Sequence, residues 1–293
     1  MIEVRVPASS ANIGPGFDAL GLSLGLYNTY IFQEISRGIE INGFEEGLKE
    51  DDNLVYTSMA KTFEAIDYSP KGIRIDGNMQ IPISRGLGSS AACILGGVLG
   101  ANYLAGGPLS KEDVFKLAVD IEGHPDNIAP ALFGGLVASI MEKNQVYYNH
   151  INISKGIKFI ALIPDFTLST EQSREILPKE ISYKDGVYNV GRVALLLSAL
   201  SNGRFDLLKH GLKDSLHQPY RGKLIQGFDL VSSKCEELGA LGVYLSGAGP
   251  TIMAIVGDDN KNFLKEIKLY LNWLGYHWEV KELELDLVGA VCK

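Results

Sequence analysis

The feature that most constrains this chain is a glycine-rich turn over residues 81–92, with the sequence IPISRGLGSSAA. Gly86 and Gly88 can adopt positive φ, so consecutive backbone amides of such a turn can point at one anion. The turn is not a Walker loop, because it has no lysine directly before a serine or threonine. It predicts a phosphate cradle or, without a ligand, a tight strand-to-helix turn in which the glycines serve packing alone.

A buried helix is predicted to follow this turn. Every residue from 86 to 110 is uncharged, and residues 91–104 are small or compatible with a helix. Ser89 and Ser90 are the expected caps, and the positive end of the helix dipole would face a bound phosphate. The glycines and Asn102 interrupt any apolar run of membrane-spanning length, so we expect a core helix.

Length and composition predict a two-domain globular protein. The 293 residues exceed the usual size of one domain, and a content of 46% hydrophobic and 21% charged residues is ordinary for a globular chain. A polar connection over residues 142–145 and the stretch to Lys155 are expected to mark the domain change. We therefore predict domains over residues 1–153 and 154–293.

Charge and cysteine usage exclude several other classes. The net charge of -8 argues against a nucleic-acid surface, which needs a clustered basic face, although backbone amides can still bind a small anion. Cys93, Cys235 and Cys292 are far apart and odd in number, so neither a disulfide framework nor a zinc site is predicted. The N-terminus alternates like a strand without an apolar signal core, so we expect a cytoplasmic protein.

A second candidate segment, residues 8–21, combines turn formers with apolar residues. Asn12 and Asp18 are interleaved there with Phe17 and Leu20, which a plain surface turn does not need. One interpretation is a loop pinned to the core that presents Asn12 and Asp18 to a polar ligand, because a carboxylate can meet an ammonium group. The other is a wide connection whose polar groups satisfy their own backbone.

A carboxylate at the end of a predicted helix is a third candidate. The sequence SKED at residues 110–113 resembles a capping box and starts an amphipathic helix that ends at Glu122. A negative charge at a helix C-terminus opposes the local dipole, so a bound cation would make the position favourable, whereas most glutamates are simply solvated. An upstream helix over residues 54–66, which the run Asp51, Asp52 and Asn53 can cap, is predicted to be scaffold.

The segment over residues 123–135 brings His124, Asp126 and Asn127 together within four residues, beside two prolines. In isolation it predicts a turn with Asx capping, in which the histidine is a hydrogen-bonded structural residue. As a partner of the phosphate cradle, the same segment would supply a carboxylate and an amide.

Two arginines in the second half are candidate clamps for a carboxylate. Arg174 follows a loop over residues 164–170, and Arg221 ends the sequence HQPYR. A guanidinium fork matches a carboxylate bidentately, although most arginines are solvated. Helix and strand patterns alternate here around a second glycine-rich turn, which predicts an α+β sandwich. The predicted helices of this half cover residues 193–200, 224–238 and 262–274.

Three segments together resemble the three signature motifs of the GHMP small-molecule kinases. They cover residues 7–21, 82–92 and 246–251. The first segment and the sequence EGHPDNIAP at residues 122–130 most resemble the branch that phosphorylates L-homoserine. The resemblance covers nearly the whole chain. It implies an α+β, two-domain GHMP kinase fold, with an N-terminal domain like the second domain of ribosomal protein S5 and a ferredoxin-like C-terminal domain around the active site.

The resemblance implies transfer of the γ-phosphoryl group of ATP to the hydroxyl of L-homoserine, a step of threonine biosynthesis. Ser90 with Glu122 would hold Mg²⁺, which takes a few hard oxygen ligands together with phosphate and water. Amides, helix end and metal could then carry the developing charge without a Walker lysine. The residues implied to surround the triphosphate are Pro82, Ile83, Ser84, Arg85, Gly86, Leu87, Gly88, Ser89, Ser90, Ala91 and Ala92.

The resemblance also implies an acceptor site. Asp18 would face the ammonium of the substrate, and two arginines would face its carboxylate. The implied substrate contacts are Asn12, Asp18, Asn127, Thr170, Arg174 and Arg221. The implied catalytic residues are Glu122, Asp126 and Asn127, with Asp126 as the candidate base. A loose transition state needs little activation of the nucleophile, so a strong base is not required.

Two alternatives stay open on the sequence. One is a GHMP kinase for another small alcohol such as mevalonate, but Asp18 favours homoserine because mevalonate offers no ammonium. The other is a nucleotide-binding regulator of the same fold, which should have lost a metal ligand or the cradle, whereas Ser90, Glu122 and both glycines are present. Pairing through a sheet or helix face, to give a homodimer, is a further expectation. We expect no nucleic-acid or membrane partner.

Overall fold

A computed structural model describes residues 1–44, 50–143 and 145–293, which form two sheets covered by helices. The strands are β1 (Ile2–Ala11), β2 (Leu20–Glu34), β3 (Gly38–Asn42), β4 (Gly72–Met79), β5 (Leu136–Glu142), β6 (Gln145–Ile151), β7 (Ile157–Ile163), β8 (Gly242–Leu245), β9 (Ile252–Gly257), β10 (Glu279–Leu283) and β11 (Val291–Cys292). The α-helices are α1 (Leu54–Ala65), α2 (Ser89–Leu104), α3 (Lys111–Glu122), α4 (Pro125–Phe133), α5 (Thr170–Glu175), α6 (Tyr183–Asn202), α7 (Leu208–Gly211), α8 (Gln218–Arg221), α9 (Phe228–Glu237) and α10 (Phe263–Trp273).

The first sheet is built on the long antiparallel pair β1 and β2. Its strand order is β11-β1-β2-β4-β3, and β5 pairs with both β2 and β6. The register of β1 against β2 shifts between Pro7 and Ala8. Such a bulge bends a strand, and beyond it β1 is buried through to Ala11. The chain therefore enters the core just before Asn12.

Helix α2 packs against this sheet as the predicted core helix. The prediction that Ser89 and Ser90 cap it was wrong. The N-cap is Gly88, with φ 69 and no side-chain hydrogen bond. The Ser90 hydroxyl instead donates to Glu122 Oε2 across 2.7 Å, because the end of α3 lies beside it.

Helices α1 and α3 begin where their sequence signals predict. The Asn53 side chain caps α1 by accepting from two backbone amides of its first turn. Ser110 and Asp113 form a reciprocal capping box at the start of α3. Both signals depend on contacts within four residues, which is why they can be read from the sequence.

The predicted turn at His124, Asp126 and Asn127 is instead the start of helix α4. Gly123 ends α3 in the left-handed conformation, with φ 91. Pro125 then occupies the first turn of α4, where its missing N–H and fixed φ are compatible with a helix. Asp126 and Asn127 therefore lie in the first helical turn, directly after the C-terminus of α3.

The second sheet has the strand order β10-β7-β9-β8 and is antiparallel throughout. Along the chain, helices α5 to α9 lie between β7 and β8, and α10 lies between β9 and β10, so the predicted α+β architecture is confirmed. Two helix bounds differ from the prediction. Helix α6 starts as early as Tyr183 because Ser182 caps it. Helix α9 starts only at Phe228 because Gly227, with φ 82, interrupts the chain.

The connection between the sheets lies after β6. Glu142 pairs with Gln145 in the β5–β6 hairpin, so this polar segment is part of the first sheet, and Asn144 lies outside the described residues. Residues 152–156 lead from β6 to β7, and β11 returns at the end of the chain to pair with β1. The domain limits at 153 and 154 stay a prediction.

The two sheets contact each other through a buried polar cluster and a shared hydrophobic core. Ser10 Oγ lies 2.7 Å from Ser246 Oγ and 3.2 Å from the Tyr244 hydroxyl. Ile13 and Tyr244 belong to one buried hydrophobic cluster. None of the helices in the described ranges combines the length and the apolar character needed to span a bilayer.

Candidate active site

A cavity of about 420 Å³ lies where the two sheets meet. The predicted site residues on its wall are Asn12, Asp18, Ile83, Ser84, Arg85, Gly86, Gly88, Ser89, Ser90, Glu122, Asp126, Asn127, Thr170, Arg174 and Arg221. Those that lie behind the wall are Pro82, Leu87, Ala91 and Ala92, of which the last three are buried. The structure thus brings both ends of the predicted site into one cavity.

The glycine-rich turn presents unused backbone donors to this cavity. It adopts left-handed conformations at Ser84 (φ 53), Gly86 (φ 76) and Gly88 (φ 69). Within the described ranges, the amides of residues 86–91 donate no hydrogen bond to the protein. Because these amides include the first turn of α2, the positive end of the helix dipole adds to them. The turn can therefore bind an anion without a lysine.

The carbonyl groups of the same turn are held by the second half of the chain. The Leu168 amide donates to Ser84 O across 3.1 Å, and the Thr251 amide donates to Arg85 O across 3.2 Å. Ser246 Oγ donates to Gly86 O at 2.6 Å. A side chain at Gly86 would collide with the Ser246 carbonyl oxygen. The conformation of the turn thus depends on the second glycine-rich motif.

Arg85 adds a positive charge that is bonded only to neutral carbonyl oxygens. Its Nε donates to Pro164 O at 2.9 Å, and its Nη2 donates to Asp165 O at 2.8 Å. Its Nη1 donates to Ile83 O at 3.2 Å. No carboxylate of the described ranges forms an ion pair with it, so its charge contributes to a positive potential at this wall.

Ser90 and Glu122 place two oxygens side by side next to these amides. Burial raises the pKa of the Glu122 carboxyl above its ordinary 4.5, although the hydrogen bond from Ser90 and the nearby His124 oppose the rise. An ionised Glu122 is therefore only partly compensated, and a cation would stabilise it.

The two oxygens fit Mg²⁺ only together with a phosphate. The described parts of the chain contain no group of three or more His, Cys, Asp or Glu side chains that could hold a metal ion. A cation beside Ser90 and Glu122 needs further ligands, and Mg²⁺ commonly takes these from substrate phosphates and water. This donor set is compatible with a metal that arrives with a nucleotide.

The candidate base, Asp126, is held by two donors at the start of α4. Its Oδ1 lies 2.9 Å from His124 Nδ1 and accepts from Asn127 Nδ2 at 3.3 Å. Asn127 Oδ1 in turn accepts from Ser9 Oγ at 2.8 Å. The hydrogen bond to Asp126 raises the pKa of His124 above its ordinary 6.5, against the effect of burial. This carboxylate is fixed on the cavity wall with only 3% of its residue exposed.

The loop after β1 is pinned to the core, as one of the two interpretations of its sequence predicts. Asn12, Ile13 and Asp18 take positive φ of 69, 44 and 55. Asn12 Oδ1 accepts from the Asp18 amide, and its Nδ2 donates to Gly247 O, both at 2.9 Å. A single buried amide thus links the loop to the second glycine-rich motif.

Asp18 and Arg174, which the resemblance assigns to opposite ends of a substrate, are bonded to each other. Arg174 Nη2 and Nη1 donate to the two carboxylate oxygens of Asp18 at 3.0 and 3.2 Å. The two side chains are 38% and 40% exposed. Arg174 lies on α5, whose first residue, Thr170, is an exposed part of the same wall.

Arg221 is a buried cation beside this pair. Its Nε donates to Ser173 O at 3.1 Å, and its Nη1 donates to Gly247 O at 3.0 Å. Burial and, less strongly, the charge of Arg174 lower the pKa of Arg221 to about 10. Within the described ranges its Nη2 makes no hydrogen bond, and Arg221 forms no ion pair with a carboxylate. A ligand carboxylate in the cavity would supply the missing negative charge.

The sequence analysis missed the far end of the cavity, which is largely apolar. Phe44, Leu54 and Met79 line it together with Asn53. Asn53 Nδ2 is a buried donor without a partner among the described residues. The sequence analysis predicted residues 54–66 to be scaffold. It did not predict that Asn53 lines the cavity, because a cap already explained this residue, and one side chain can have both roles.

Comparisons with known proteins give the class. The family model "GHMP kinases N terminal domain" matches residues 53–135, and the model "GHMP kinases C terminal" matches residues 196–271. The fold and the amide-lined cavity therefore define a GHMP kinase, a phosphotransferase. The crystal structure of L. major mevalonate kinase shares the fold, with a TM-score of 0.75, 14% identity and coverage of 97% of this chain and 96% of that chain.

Relatives of higher identity give the family. A homoserine kinase of Clostridium botulinum (strain Langeland) is 54% identical over 99% of this chain and 98% of its own length. A homoserine kinase of Clostridium beijerinckii is 52% identical over the same shares. The crystal structure of homoserine kinase from Cytophaga hutchinsonii has a TM-score of 0.88 at 27% identity and covers 100% of this chain and 97% of that chain. The chain belongs to the homoserine kinase family.

Proposed function

We propose that the chain transfers the γ-phosphoryl group of ATP to the hydroxyl of L-homoserine, which yields O-phospho-L-homoserine and ADP. One observation carries the proposal. The glycine-rich turn that carries the unused amides of residues 86–91 and the charged set of Asp18, Arg174 and Arg221 line one cavity. The first set suits a polyphosphate, and the second suits an amino acid that carries both charges.

The amide-lined wall is where the triphosphate would bind. The amides, the N-terminus of α2 and Arg85 would hold its oxygens, while the base would enter the apolar end beside Phe44 and the Asn53 donor. Ser90 and Glu122 would hold Mg²⁺, which when bound neutralises charge on the phosphate oxygens. Positioning and electrostatics of this kind are most of what phosphoryl transfer requires.

The opposite wall is where homoserine would bind, with its own charged groups replacing the ion pair between Asp18 and Arg174. Its ammonium would take the place of Arg174 at Asp18, and its carboxylate would meet Arg174 and the free Nη2 of Arg221. Asn12, Asn127 and Thr170 would supply neutral contacts. Asp126 is the proposed acceptor of the hydroxyl proton, held in place by His124 and Asn127. Because the transition state is loose, this step needs little driving force.

An acceptor panel tests the proposal. We expect ADP release with L-homoserine, and kcat/KM lower by on the order of a hundredfold or more for 3-aminopropan-1-ol, which lacks the carboxylate, and for 4-hydroxybutyrate, which lacks the ammonium. Turnover of mevalonate without turnover of homoserine would show a kinase for another alcohol. Tight ATP binding without phosphorylation of any acceptor would show a non-catalytic regulator.

A further inference from the structure

A buried histidine lies behind the acceptor wall and takes no part in the proposed chemistry. His217 is fully buried, just before α8. It reaches both the loop after β1 and the clamp arginine, which come from opposite halves of the chain. Its Nε2 is 2.8 Å from Gly14 O, and its Nδ1 is 3.5 Å from Arg221 Nη1.

These two partners define the tautomer of the ring. A carbonyl oxygen such as Gly14 O can only accept, so Nε2 must carry the proton. A guanidinium such as that of Arg221 can only donate, so Nδ1 must be the bare nitrogen. His217 is therefore neutral and protonated at Nε2. A second proton on Nδ1 would place a cation against a cation.

The charged groups that face the ring agree with this state. Burial lowers the pKa of His217 below its ordinary 6.5, and Arg221 adds to the fall, while Asp214, Gly14 O and Asp18 oppose it. Asp214 Oδ2 lies 3.7 Å from Nε2. That carboxylate is already occupied, because it accepts from three backbone amides of residues 216–218 and from Asn189 Nδ2.

A stack of planar groups centred on Phe17 connects the histidine with the substrate wall. The rings of Phe17 and His217 are 5.1 Å apart at an interplanar angle of 21°. The guanidinium carbon of Arg221 lies 5.1 Å from the centre of the Phe17 ring, and that of Arg174 lies 5.9 Å from it. Phe17 directly precedes Asp18. The stack thus fixes the distance between the carboxylate and the clamp arginines.

We propose that neutral His217 is the positioning residue of the acceptor site. By donating to Gly14, accepting from Arg221 and stacking on Phe17, it holds Asp18 and Arg221 at the spacing that an α-amino acid requires. The inference rests on the proposed function, since it assigns the origin of specificity in the same site. His217 touches no reacting atom, so its removal should weaken the binding of homoserine more than that of ATP.

Two substitutions separate the polar and stacking roles. His217→Phe keeps a ring beside Phe17 but has neither the donor nor the acceptor. His217→Gln keeps a donor that can reach Gly14 O. We expect H217F to raise the KM for homoserine about tenfold to a hundredfold with the KM for ATP within about twofold, and H217Q to recover part of the loss. His210→Gln, at an exposed histidine of α7, is the matched control.

Three kinetic results would overturn the inference. These are an unchanged KM for homoserine in H217F, an equal rise of both KM values, and an H217Q variant no closer to the wild type than H217F. Thermal unfolding shows whether each variant is folded. If one of H217F and H217Q does not fold, the KM values of the other test the inference. If the wild type turns over homoserine normally while the variants match it, only the positioning role fails.

A spectroscopic readout on the unmodified protein is independent of turnover. Long-range ¹H–¹⁵N correlation spectra distinguish the two neutral tautomers and the imidazolium. We expect the Nε2–H tautomer of His217 at pH 7, and an Nδ1–H or doubly protonated ring there would contradict the proposal. A wild type that shows this tautomer but never phosphorylates homoserine would contradict the proposed function and leave the geometry of His217 in place.

Discussion

The two ends of the cavity offer different kinds of groups to a charged ligand. The proposed phosphate end offers main-chain amides from one continuous segment, residues 86–91, which includes the start of α2. The acceptor end uses side chains from distant segments. Asp18 follows β1, Arg174 lies on α5 and Arg221 ends α8. The positions of the backbone donors depend on the conformation of one turn. The three charged side chains come together only when three separate segments of the chain pack against one another.

This difference determines where substitutions act. At the proposed phosphate end most side chains other than that of Arg85 should be replaceable as long as the glycines and the two oxygens remain, because backbone amides do not depend on side-chain identity. At the acceptor end each side chain carries a charge that a neighbour must balance, so single replacements should alter substrate choice while the binding of ATP is kept. Four experiments test this contrast.

The largest effect is expected at Glu122, the one carboxylate assigned to the phosphate end. Glu122→Ala should lower kcat by about 10² to 10³. The proposed Mg²⁺ would lose a protein ligand, and the charge that develops on the phosphate oxygens would be less well stabilised. Burial already disfavours the ionised carboxylate, so the unfolding temperature should not fall. Steady-state kinetics and thermal unfolding are the measurements. Glu112→Ala, at an exposed position of the same helix, is the control, and full activity of E122A would discredit the metal role.

A smaller effect is expected when the charged pair of the acceptor end is opened. Asp18→Asn and Arg174→Met should each lower kcat/KM for homoserine about tenfold to a hundredfold, with little change in the KM for ATP. Because the pair is about two-fifths exposed, each change should cost no more than about 1 kcal/mol in the free energy of unfolding.

The exposed pair of Arg204 and Asp206 gives the control for these variants. Its N–O distance of 2.9 Å resembles that of the acceptor pair, but it lies outside the cavity. Arg204→Met should leave both KM values unchanged. If D18N and R174M instead raised the KM for ATP as much as that for homoserine, the division of the cavity into two ends would be wrong.

Gly86→Ala tests whether the phosphate end depends on backbone conformation. The residue has φ 76, and its new methyl group would collide with the Ser246 carbonyl oxygen. We expect the KM for ATP to rise about tenfold, and the left-handed conformation to cost about 1–2 kcal/mol of stability.

Gly106→Ala separates the conformational cost from the collision. Gly106 has φ 88, and no heavy atom lies within 4 Å of the point that a Cβ would occupy, so the variant should lose similar stability without any change in the KM for ATP. Isothermal titration with a nonhydrolysable ATP analogue measures the binding directly. Unchanged binding to G86A would show that the turn does not hold the triphosphate.

The smallest effect is a pH dependence of stability at the border between the two ends. The hydrogen bond to Asp126 raises the pKa of His124 above 6.5 in the folded state. The protonated pair therefore stabilises the fold fully below pH 6.5, and this contribution is lost as the pH rises through the higher folded pKa. We expect His124→Gln to be less stable than the wild type by a few tenths to about 1 kcal/mol at the acidic side only.

Chemical denaturation at a series of pH values measures this difference. The gap in unfolding free energy between the wild type and H124Q should close with rising pH. A gap that stays constant or widens would show that the ion pair is not its cause. His210→Gln, an exposed histidine of α7, should show no gap that closes with pH.

Local signals account for much of what could be predicted. The cap at Asn53 and the capping box at Ser110 were correct because each involves residues within four positions. The same reasoning failed at Ser90, whose hydroxyl finds Glu122, a residue 32 positions away, instead of its own helix. It failed again at Pro125, where two helices abut, because a proline two residues after a glycine is compatible with a turn and with a new helix.

The sequence alone predicted the glycine-rich turn and the helix after it, since the glycines, the small residues and the helix start are contiguous. The conformation of the turn, by contrast, is held by distant contacts from Leu168, Ser246 and Thr251. The charged residues of the acceptor end could also be named from the sequence. Which of them meet depends on how the chain packs: Asp18 pairs with Arg174, and His217 bridges Gly14 and Arg221. The cause is distance along the chain, because Asp18 and Arg174 are separated by 156 positions, and such contacts exist only after both sheets have packed.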